Sequence, residues 1–207
     1  MKKTWIAAAI VIVFLVVACA WIPCLPGDVA VTRVLQSVAP DNPAWAQAVT
    51  ASAKLPWNIL LLGGAFLLSW WFRNARLAVL SLASFLGVQL LDLVMKPWFA
   101  RPRPSTDLVQ VVGSPSGYSF PSTFALTFAG TIGFVAVAAV IYLRGRARWL
   151  VVAIAAVALL LGAAARITLG AHWPSDVITS YLIAFFWAAF LVKFSRSGTG
   201  DVDRKRS

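Results

Sequence analysis

Apolar residues occur along this chain in long runs separated by short polar segments. The first run, residues 5–22, follows Lys2 and Lys3 and contains no polar residue other than Cys19. Later runs cover about 56–72, 77–95, 121–143, 149–167 and 175–194. A helix that crosses a bilayer needs about 20 predominantly apolar residues. The pattern therefore predicts six transmembrane helices. A secretory signal peptide is the alternative interpretation of the first run, although the run is longer than a typical signal core.

Two segments depart from this pattern. Residues 26–55 mix proline, glycine and polar residues with apolar ones, which predicts one or two short amphipathic helices at the membrane surface. Residues 196–207 are polar and basic. We therefore expect an all-α membrane domain over 1–195 and a short basic cytoplasmic tail over 196–207. The expected fold is a bundle of six transmembrane helices, with the surface helices following the first.

The composition agrees with a membrane protein. Hydrophobic residues make up 60% of the chain and charged residues 12%, whereas soluble domains carry about 25% charged residues. This difference argues against a soluble domain and against a nucleic-acid-binding partner. Cytoplasmic loops carry an excess of Lys and Arg. With the N-terminus inside, twelve of the 18 basic residues fall on the inner side and six on the outer side, which predicts that both termini are cytoplasmic.

The basic residues on the outer side lie mainly in two short segments, 96–120 and 166–175. Lys96, Arg103 and Arg166 are suited to a phosphate, because arginine offers forked donors that match phosphate oxygens. Ser122 and Thr123 follow a proline at a predicted helix start, where free backbone N–H groups bind anions.

One histidine–aspartate pair lies between the last two apolar runs. His172 and Asp176 are four residues apart and would share one face of a helix. An aspartate beside an imidazole fixes its tautomer, which leaves the other nitrogen free to attack phosphorus. His172 is the only histidine, so a site of several histidines around a metal is excluded. Arg101 is interpreted as a headgroup anchor whose charge reaches the interface. Asp92 could pair with a loop cation or face the site.

These residues resemble the signatures of the type 2 phosphatidic acid phosphatase (PAP2) superfamily, K-x6-R-P, P-S-G-H and S-R-x5-H-x3-D. The first signature is complete, and the third has Ala165 in place of its serine. The matching positions are Lys96, Arg103 and Pro104 for the first signature, and Arg166, His172 and Asp176 for the third.

The resemblance implies an integral-membrane lipid phosphatase that needs no metal or other cofactor. His172 would become a phosphohistidine, and Asp176 would orient it. The residues implied to hold the phosphate are Lys96, Arg103, Arg166, Ser122 and the backbone at Thr123. The expected partners are a lipid phosphate substrate and the bilayer, with the oligomeric state left open. Low cysteine use and the charge distribution fit a bacterial inner membrane, in which the site would face the periplasm.

The second signature is altered, because P-S-G-H reads Pro121-Ser122-Thr123-Phe124. The histidine of the family signature is the general acid that protonates the leaving oxygen, and phenylalanine donates no proton. Loss of a general acid costs about 10²–10⁴ in rate. A phosphate leaving group has a second pKa of about 6 and needs little protonation, whereas a lipid alcohol has a pKa near that of water, about 16. The substitution therefore favours a polyprenyl diphosphate, such as undecaprenyl diphosphate, over lipid monophosphates.

Several alternatives follow from Phe124. Another group could supply the proton, with Tyr118, Asp107 or a water held by Thr123 as candidates. The protein could instead bind a lipid phosphate without turnover, or Phe124 could be an engineered substitution. A phosphotransferase that passes the phosphoryl group to another lipid would use the same site residues.

Overall fold

A computed structural model describes residues 2–72 and 75–196 of the chain, without the side chains of Lys2 and Arg196. The elements of these residues are helical, as predicted. They are α1 Lys2–Trp21, α2 Asp28–Val38, α3 Ala44–Ala51, α4 Trp57–Trp71, α5 Ala75–Phe99, α6 Thr123–Phe128, a π-turn Ala129–Gly133, α7 Phe134–Tyr142, α8 Gly145–Thr168 and α9 Pro174–Arg196.

The prediction of an all-α membrane bundle is confirmed, with one qualification about the number of spans. Within residues 2–72 and 75–196, five helical segments are long and apolar enough to cross a membrane, and α4, with 15 residues, is shorter. The short helices α2 and α3 form within the predicted surface segment. Helix α9 extends to Arg196, one residue into the predicted tail. The rest of that tail, 197–207, lies outside the described residues, as do Arg73 and Asn74 of the polar segment before α5.

The helical segment Thr123–Tyr142 lies at the centre of the bundle. In its most apolar stretch of 18 residues, 78% of the residues are buried, compared with 6% in the corresponding stretch of α1. The π-turn brings Gly130 against α5, where an added Cβ would lie 2.7 Å from Val88 Cγ2. Ser84 Oγ of α5 donates to the Gly130 carbonyl at 2.7 Å. A small residue and a satisfied carbonyl allow this close helix contact.

Helix α1 packs against α9 and is part of the bundle. The rings of Trp5 and Phe186 are 5.1 Å apart and meet edge to face. Near the other end of α1, the buried Cys19 Sγ lies 3.5 Å from Thr179 Oγ1. These contacts hold the end of α1 close to the start of α9, which carries part of the site.

Three helix ends direct the predicted site segments toward one end of the bundle. Helix α5 ends before Ala100, whose φ is 47°. After α8 the chain turns at Gly170, where φ is 61° and an added Cβ would lie 2.1 Å from the Gln110 carbonyl oxygen. Only glycine fits such a position. Helix α9 begins at Pro174, and its Asp176 carboxylate accepts the Trp173 N–H at 3.0 Å.

Candidate active site

A cavity of about 340 Å³ opens where α5 ends, α6 begins and α8 turns into α9. We call it the cationic cavity, because three of its lining residues are basic. Its polar and charged lining residues are Thr50, Lys54, Arg103, Ser116, Thr123, Arg166 and His172, and Phe124 forms an apolar wall. The segments that carry these residues are far apart in sequence, and the fold brings them together.

Arg103 is held in the cavity by backbone carbonyl groups. Its Nε donates to Ser116 O and Gly117 O, each at 3.1 Å, and its Nη2 donates to Ser116 O at 2.9 Å. Its Nη1 donates to the carbonyl of Ala171. No carboxylate takes part in these bonds, so the charge of the guanidinium is oriented without being neutralised.

Arg166, in the last turn of α8, also has a guanidinium donor that is available to a ligand. Its Nη1 lies 3.5 Å from Thr50 Oγ1, and its guanidinium carbon lies 5.9 Å from the centre of the Phe124 ring. Its buried Nε has no acceptor among the described residues. Buried N–H groups are normally hydrogen-bonded. An unpaired guanidinium donor at a cavity of basic residues fits an anionic ligand.

His172 lies on the cavity wall with its tautomer set by a backbone carbonyl. Its Nδ1 is 2.7 Å from Ser119 O, and because a carbonyl only accepts, Nδ1 carries the proton. Nε2 is then unprotonated, and its lone pair accepts a long hydrogen bond from Arg103 Nη1 at 3.5 Å. Burial, assisted by the charges of Arg166 and Arg103, lowers the pKa of His172 to about 4 against the opposing effect of Asp176. The imidazole is therefore neutral at neutral pH, as a nucleophile requires.

Lys96 lies next to the cavity, behind Thr123. Its Nζ is 3.3 Å from Asp92 Oδ1 and donates to Thr123 Oγ1. The Thr123 hydroxyl in turn donates to Asp92 Oδ2 at 2.9 Å. Asp92 thus pairs with a cation, one of the two roles left open by the sequence, and it does not line the cavity, although it contacts Thr123, which does.

Ser122 is fully buried and forms the N-cap of α6. Its Oγ accepts the Ala125 N–H at 3.4 Å, and its own N–H donates to Ser180 Oγ at 2.9 Å. Both groups therefore have partners within the protein. A role for Ser122 in holding phosphate stays a prediction.

Asp176 belongs to a second group of polar residues behind His172. We call it the carboxylate cluster; it consists of Asp28, Arg101, Ser119, Ser175 and Asp176. Arg101 forms ion pairs with Asp28, at 3.2 Å, and with Asp176. Only 1% of Arg101 is exposed. The interpretation of Arg101 as a headgroup anchor is therefore wrong, because two buried carboxylates hold its charge inside the protein.

Phe124, at the altered signature position, is closely packed against its neighbours. Its ring stacks on Phe128 with centroids 4.2 Å apart, and an added Cβ on Gly162 would lie 2.6 Å from Phe124 Cε1. The candidate replacements for the acid lie elsewhere: Tyr118 is 43% exposed, and Asp107 accepts a hydrogen bond from Ser105. Neither lines the cavity, whereas Thr123 does.

The sequence profile of the PAP2 superfamily matches residues 75–198, which is more than half of the chain. The chain belongs to the PAP2 superfamily. Its fold is similar to the crystal structure of a transmembrane PAP2-type phosphatidylglycerolphosphate phosphatase from Bacillus subtilis. The TM-score is 0.74 at 22% identity, with 96% of this chain and 98% of that chain covered. No curated protein sequence matches the chain. The PAP2 match includes every signature residue and Phe124.

The sequence analysis missed the site residues that precede the PAP2 match. Thr50 and Lys54 line the cavity from the end of α3 and the following turn, and Asp28 enters the carboxylate cluster from α2. One signal was available for Lys54. It is a basic residue on the predicted outer side, where the charge rule disfavours such residues, and no signature accounts for it.

Proposed function

We propose that this PAP2 protein is an integral-membrane lipid phosphatase that works through a phosphohistidine on His172. The observation that carries the proposal is the unprotonated Nε2 of His172, 3.5 Å from Arg103 Nη1 in a cavity with two further basic residues, Lys54 and Arg166. A phosphate between Arg103 and Arg166 would present its phosphorus to this nitrogen. Preorganised cations at such a site stabilise the charge that develops during phosphoryl transfer.

The proposed reaction has two steps. Nε2 forms a bond to phosphorus while the bond from phosphorus to the leaving oxygen breaks. Water then attacks the phosphohistidine, the P–N bond breaks, and inorganic phosphate leaves as the water gives up a proton. The site would face the periplasm of a bacterial inner membrane, with both termini in the cytoplasm, as the distribution of basic residues predicts.

We infer a lipid diphosphate, with a polyprenyl chain such as undecaprenyl favoured, as the substrate class. Phe124 cannot protonate a leaving alcohol, and the leaving group of a diphosphate is itself a phosphate that departs as an anion. Lys54 lines the cavity and has no carboxylate partner among the described residues. Its ammonium group could stabilise the leaving phosphate, a contact that a monophosphate ester would lack.

The test is phosphate release by the full chain in detergent micelles, with undecaprenyl diphosphate compared with phosphatidic acid. We expect faster release from the diphosphate. Phe124→His should raise the rate on phosphatidic acid by up to about 10²-fold and change the diphosphate rate little, because only the alcohol needs an acid. Equal or faster hydrolysis of phosphatidic acid by the native chain would contradict the proposed substrate class.

Lys54→Ala tests the second phosphate contact. We expect about a tenfold loss of kcat/KM on the diphosphate, equivalent to about 1.4 kcal/mol, and little change on phosphatidic acid. Lys193→Ala is the matched control, since Lys193 lies over the Trp5 ring at 5.2 Å and far from the cavity. Equal losses on both lipids would show that Lys54 does not distinguish them.

Phe124 itself favours a second candidate, a protein that binds a lipid phosphate without turning it over. That candidate predicts saturable binding of undecaprenyl diphosphate to the native chain, no phosphate release, and activity only in Phe124→His. Phosphate release that disappears in His172→Ala would exclude it.

A further inference from the structure

Arg101 is the centre of the carboxylate cluster, and every group of its guanidinium has a partner. Its Nε donates to Ile22 O at 3.2 Å, its Nη1 donates to Ser175 Oγ at 3.0 Å and to Asp176 Oδ1, and its Nη2 donates to Asp28 Oδ2 at 3.2 Å. One cation therefore lies between two carboxylates in a site that is closed to solvent. Charges in such surroundings interact much more strongly than charges at the surface.

The carboxylate of Asp28 holds the far side of the cluster. It accepts the Ser175 N–H at 2.9 Å, the Ser175 hydroxyl at 2.7 Å and the Leu25 N–H at 2.9 Å. Asp28 is not in contact with the imidazole of His172. Among the described residues, its contacts connect it to the ring through Arg101 and through Ser175 at the start of α9.

Asp176 lies beside the imidazole but does not hydrogen-bond to it. Its Oδ2 is 3.8 Å from His172 Nδ1, beyond hydrogen-bond range. That oxygen instead accepts the Trp173 N–H at 3.0 Å and the Ser119 hydroxyl. The carbonyl of the same Ser119 accepts the Nδ1 proton. Orientation of the ring thus comes from Ser119, and the nearby carboxylate is bound from its other sides.

The charged groups around His172 come from three directions. Asp176 faces Nδ1 from α9, Arg103 lies near Nε2 from the loop after α5, and Arg166 approaches from α8. Arg101 lies behind Asp176 and does not touch the ring. Removal of Arg101 would leave the Asp176 charge uncompensated, and the carboxylate would then favour an imidazolium at His172.

We propose that Arg101 is a positioning residue that restrains Asp176 and cancels its charge, so that the Nδ1–H of His172 stays bonded to Ser119 and Nε2 stays directed at phosphorus. The proposal rests on the proposed function for its catalytic meaning, because that function makes His172 the nucleophile. Its structural content concerns the imidazole alone and can be measured without turnover.

The primary test is an NMR titration of the full chain in micelles with labelled histidine and an affinity tag that contains no histidine. Because His172 is the only histidine, one imidazole signal reports its protonation. We expect Arg101→Gln to raise the proton affinity of His172 by about tenfold or more, which is one pH unit in the titration midpoint. An unchanged midpoint in Arg101→Gln would overturn the proposal.

Asp28→Asn is the matched control, since it removes the other carboxylate that binds Arg101. If the carboxylate cluster only holds α2 against α9, either substitution would disrupt it. Both would then shift the titration midpoint of His172 in the same direction. In our proposal Asp28→Asn does not raise the midpoint, because Arg101 becomes more available to Asp176. A rise equal to that of Arg101→Gln would show a structural tie only.

Two further variants keep the test decisive if Arg101→Gln does not fold. Arg101→Lys retains the charge, and its titration midpoint should stay near that of the native chain. The double variant Arg101→Gln with Asp176→Asn removes both charges, and its midpoint should not rise. A rise of one pH unit in either variant would overturn the proposal.

Kinetics provide a second readout that separates the two proposals. In Arg101→Gln we expect about a tenfold loss of kcat with KM changed less than threefold, because Arg103 and Arg166 would still bind the phosphate. A native chain that releases no phosphate would refute the proposed function. The titration would still decide the role of Arg101.

Discussion

Arg101 and Arg103 are separated by one proline, yet they lie in opposite electrostatic surroundings. Arg101 is enclosed in the carboxylate cluster and pairs with Asp28 and Asp176. Arg103 borders the cationic cavity and is held by neutral carbonyl groups of Ser116, Gly117 and Ala171. The two carboxylates neutralise the charge of Arg101 within the protein. The carbonyl groups around Arg103 carry no net charge and leave its positive charge available for a ligand. The number of carboxylates around a cation thus distinguishes an arginine whose charge is used within the protein from one that can bind a ligand.

The largest effect should come from His172, where the two regions meet. His172→Ala removes the proposed nucleophile and should lower phosphate release from undecaprenyl diphosphate by about 10⁴-fold or more. Acid-labile radioactive phosphate on the native chain, and none on the variant, would identify the intermediate. Release at more than a hundredth of the native rate in His172→Ala would rule out this nucleophile.

The next effect separates the two arginines directly. Arg103→Ala should lower kcat/KM by about 10²–10³-fold, the usual cost of losing one group that stabilises the transition state. It should change the unfolding temperature little. Arg101→Ala should lower activity less, by about tenfold, and should destabilise the fold by about 3–5 kcal/mol, because two buried carboxylates lose their partner.

Thermal unfolding in detergent, measured beside phosphate release, checks this pair. The double variant Arg101→Ala with Asp28→Asn is the control, since it removes one of the stranded charges and should recover part of the lost stability. Equal stability losses in Arg101→Ala and Arg103→Ala would break the comparison.

A smaller effect is expected at the apolar wall of the cavity. In Gly162→Ala the new Cβ would lie 2.6 Å from Phe124 Cε1, and such overpacking costs about 1–3 kcal/mol. Adding Phe124→Leu should restore part of the stability. Gly63→Ala on α4 is the matched control, because its Cβ would meet nothing within 4 Å. Unchanged unfolding of Gly162→Ala would show that the wall is loosely packed.

The smallest effect at neutral pH concerns the protonation of His172. Its pKa of about 4, lowered mainly by burial, keeps the imidazole neutral from neutral pH down to about pH 5. The unfolded chain takes up this proton near pH 6.5. His172 therefore lowers the stability of the fold progressively as the pH falls from 6.5 toward 4, and has no such effect above 6.5. A titration midpoint near 6.5 in the folded native chain would contradict this.

Much of the fold followed from the long apolar runs, but the helix boundaries were less well predicted. The third apolar run predicted a helix over 77–95, whereas α5 extends to Phe99 and carries Lys96 in its last turn. The run over 149–167 predicted a later start than α8, which begins at Gly145 with two arginines in its first turns. Polar residues ended the predicted helices, although long basic side chains can extend from a helix into water.

The predicted site residues divide into two groups in space. Arg103, Thr123, Arg166 and His172 line one cavity, whereas Lys96, Ser122 and Asp176 lie behind it. Motif spacing could not separate these groups. Whether a side chain faces a cavity or the core depends on helix orientation, which packing sets.

By itself, the sequence determined where helices form and which residues carry the family signatures. Long apolar runs have few alternatives in a membrane, because the backbone must satisfy its own hydrogen bonds within each segment. Only the tertiary structure decided which arginine is buried, which carbonyl orients His172 and that Lys54 reaches the cavity. Asp28 and Ser175, for example, form a hydrogen bond although they are 147 residues apart in the sequence. Burial and charge pairing arise from such distant contacts, which no local pattern of residues contains.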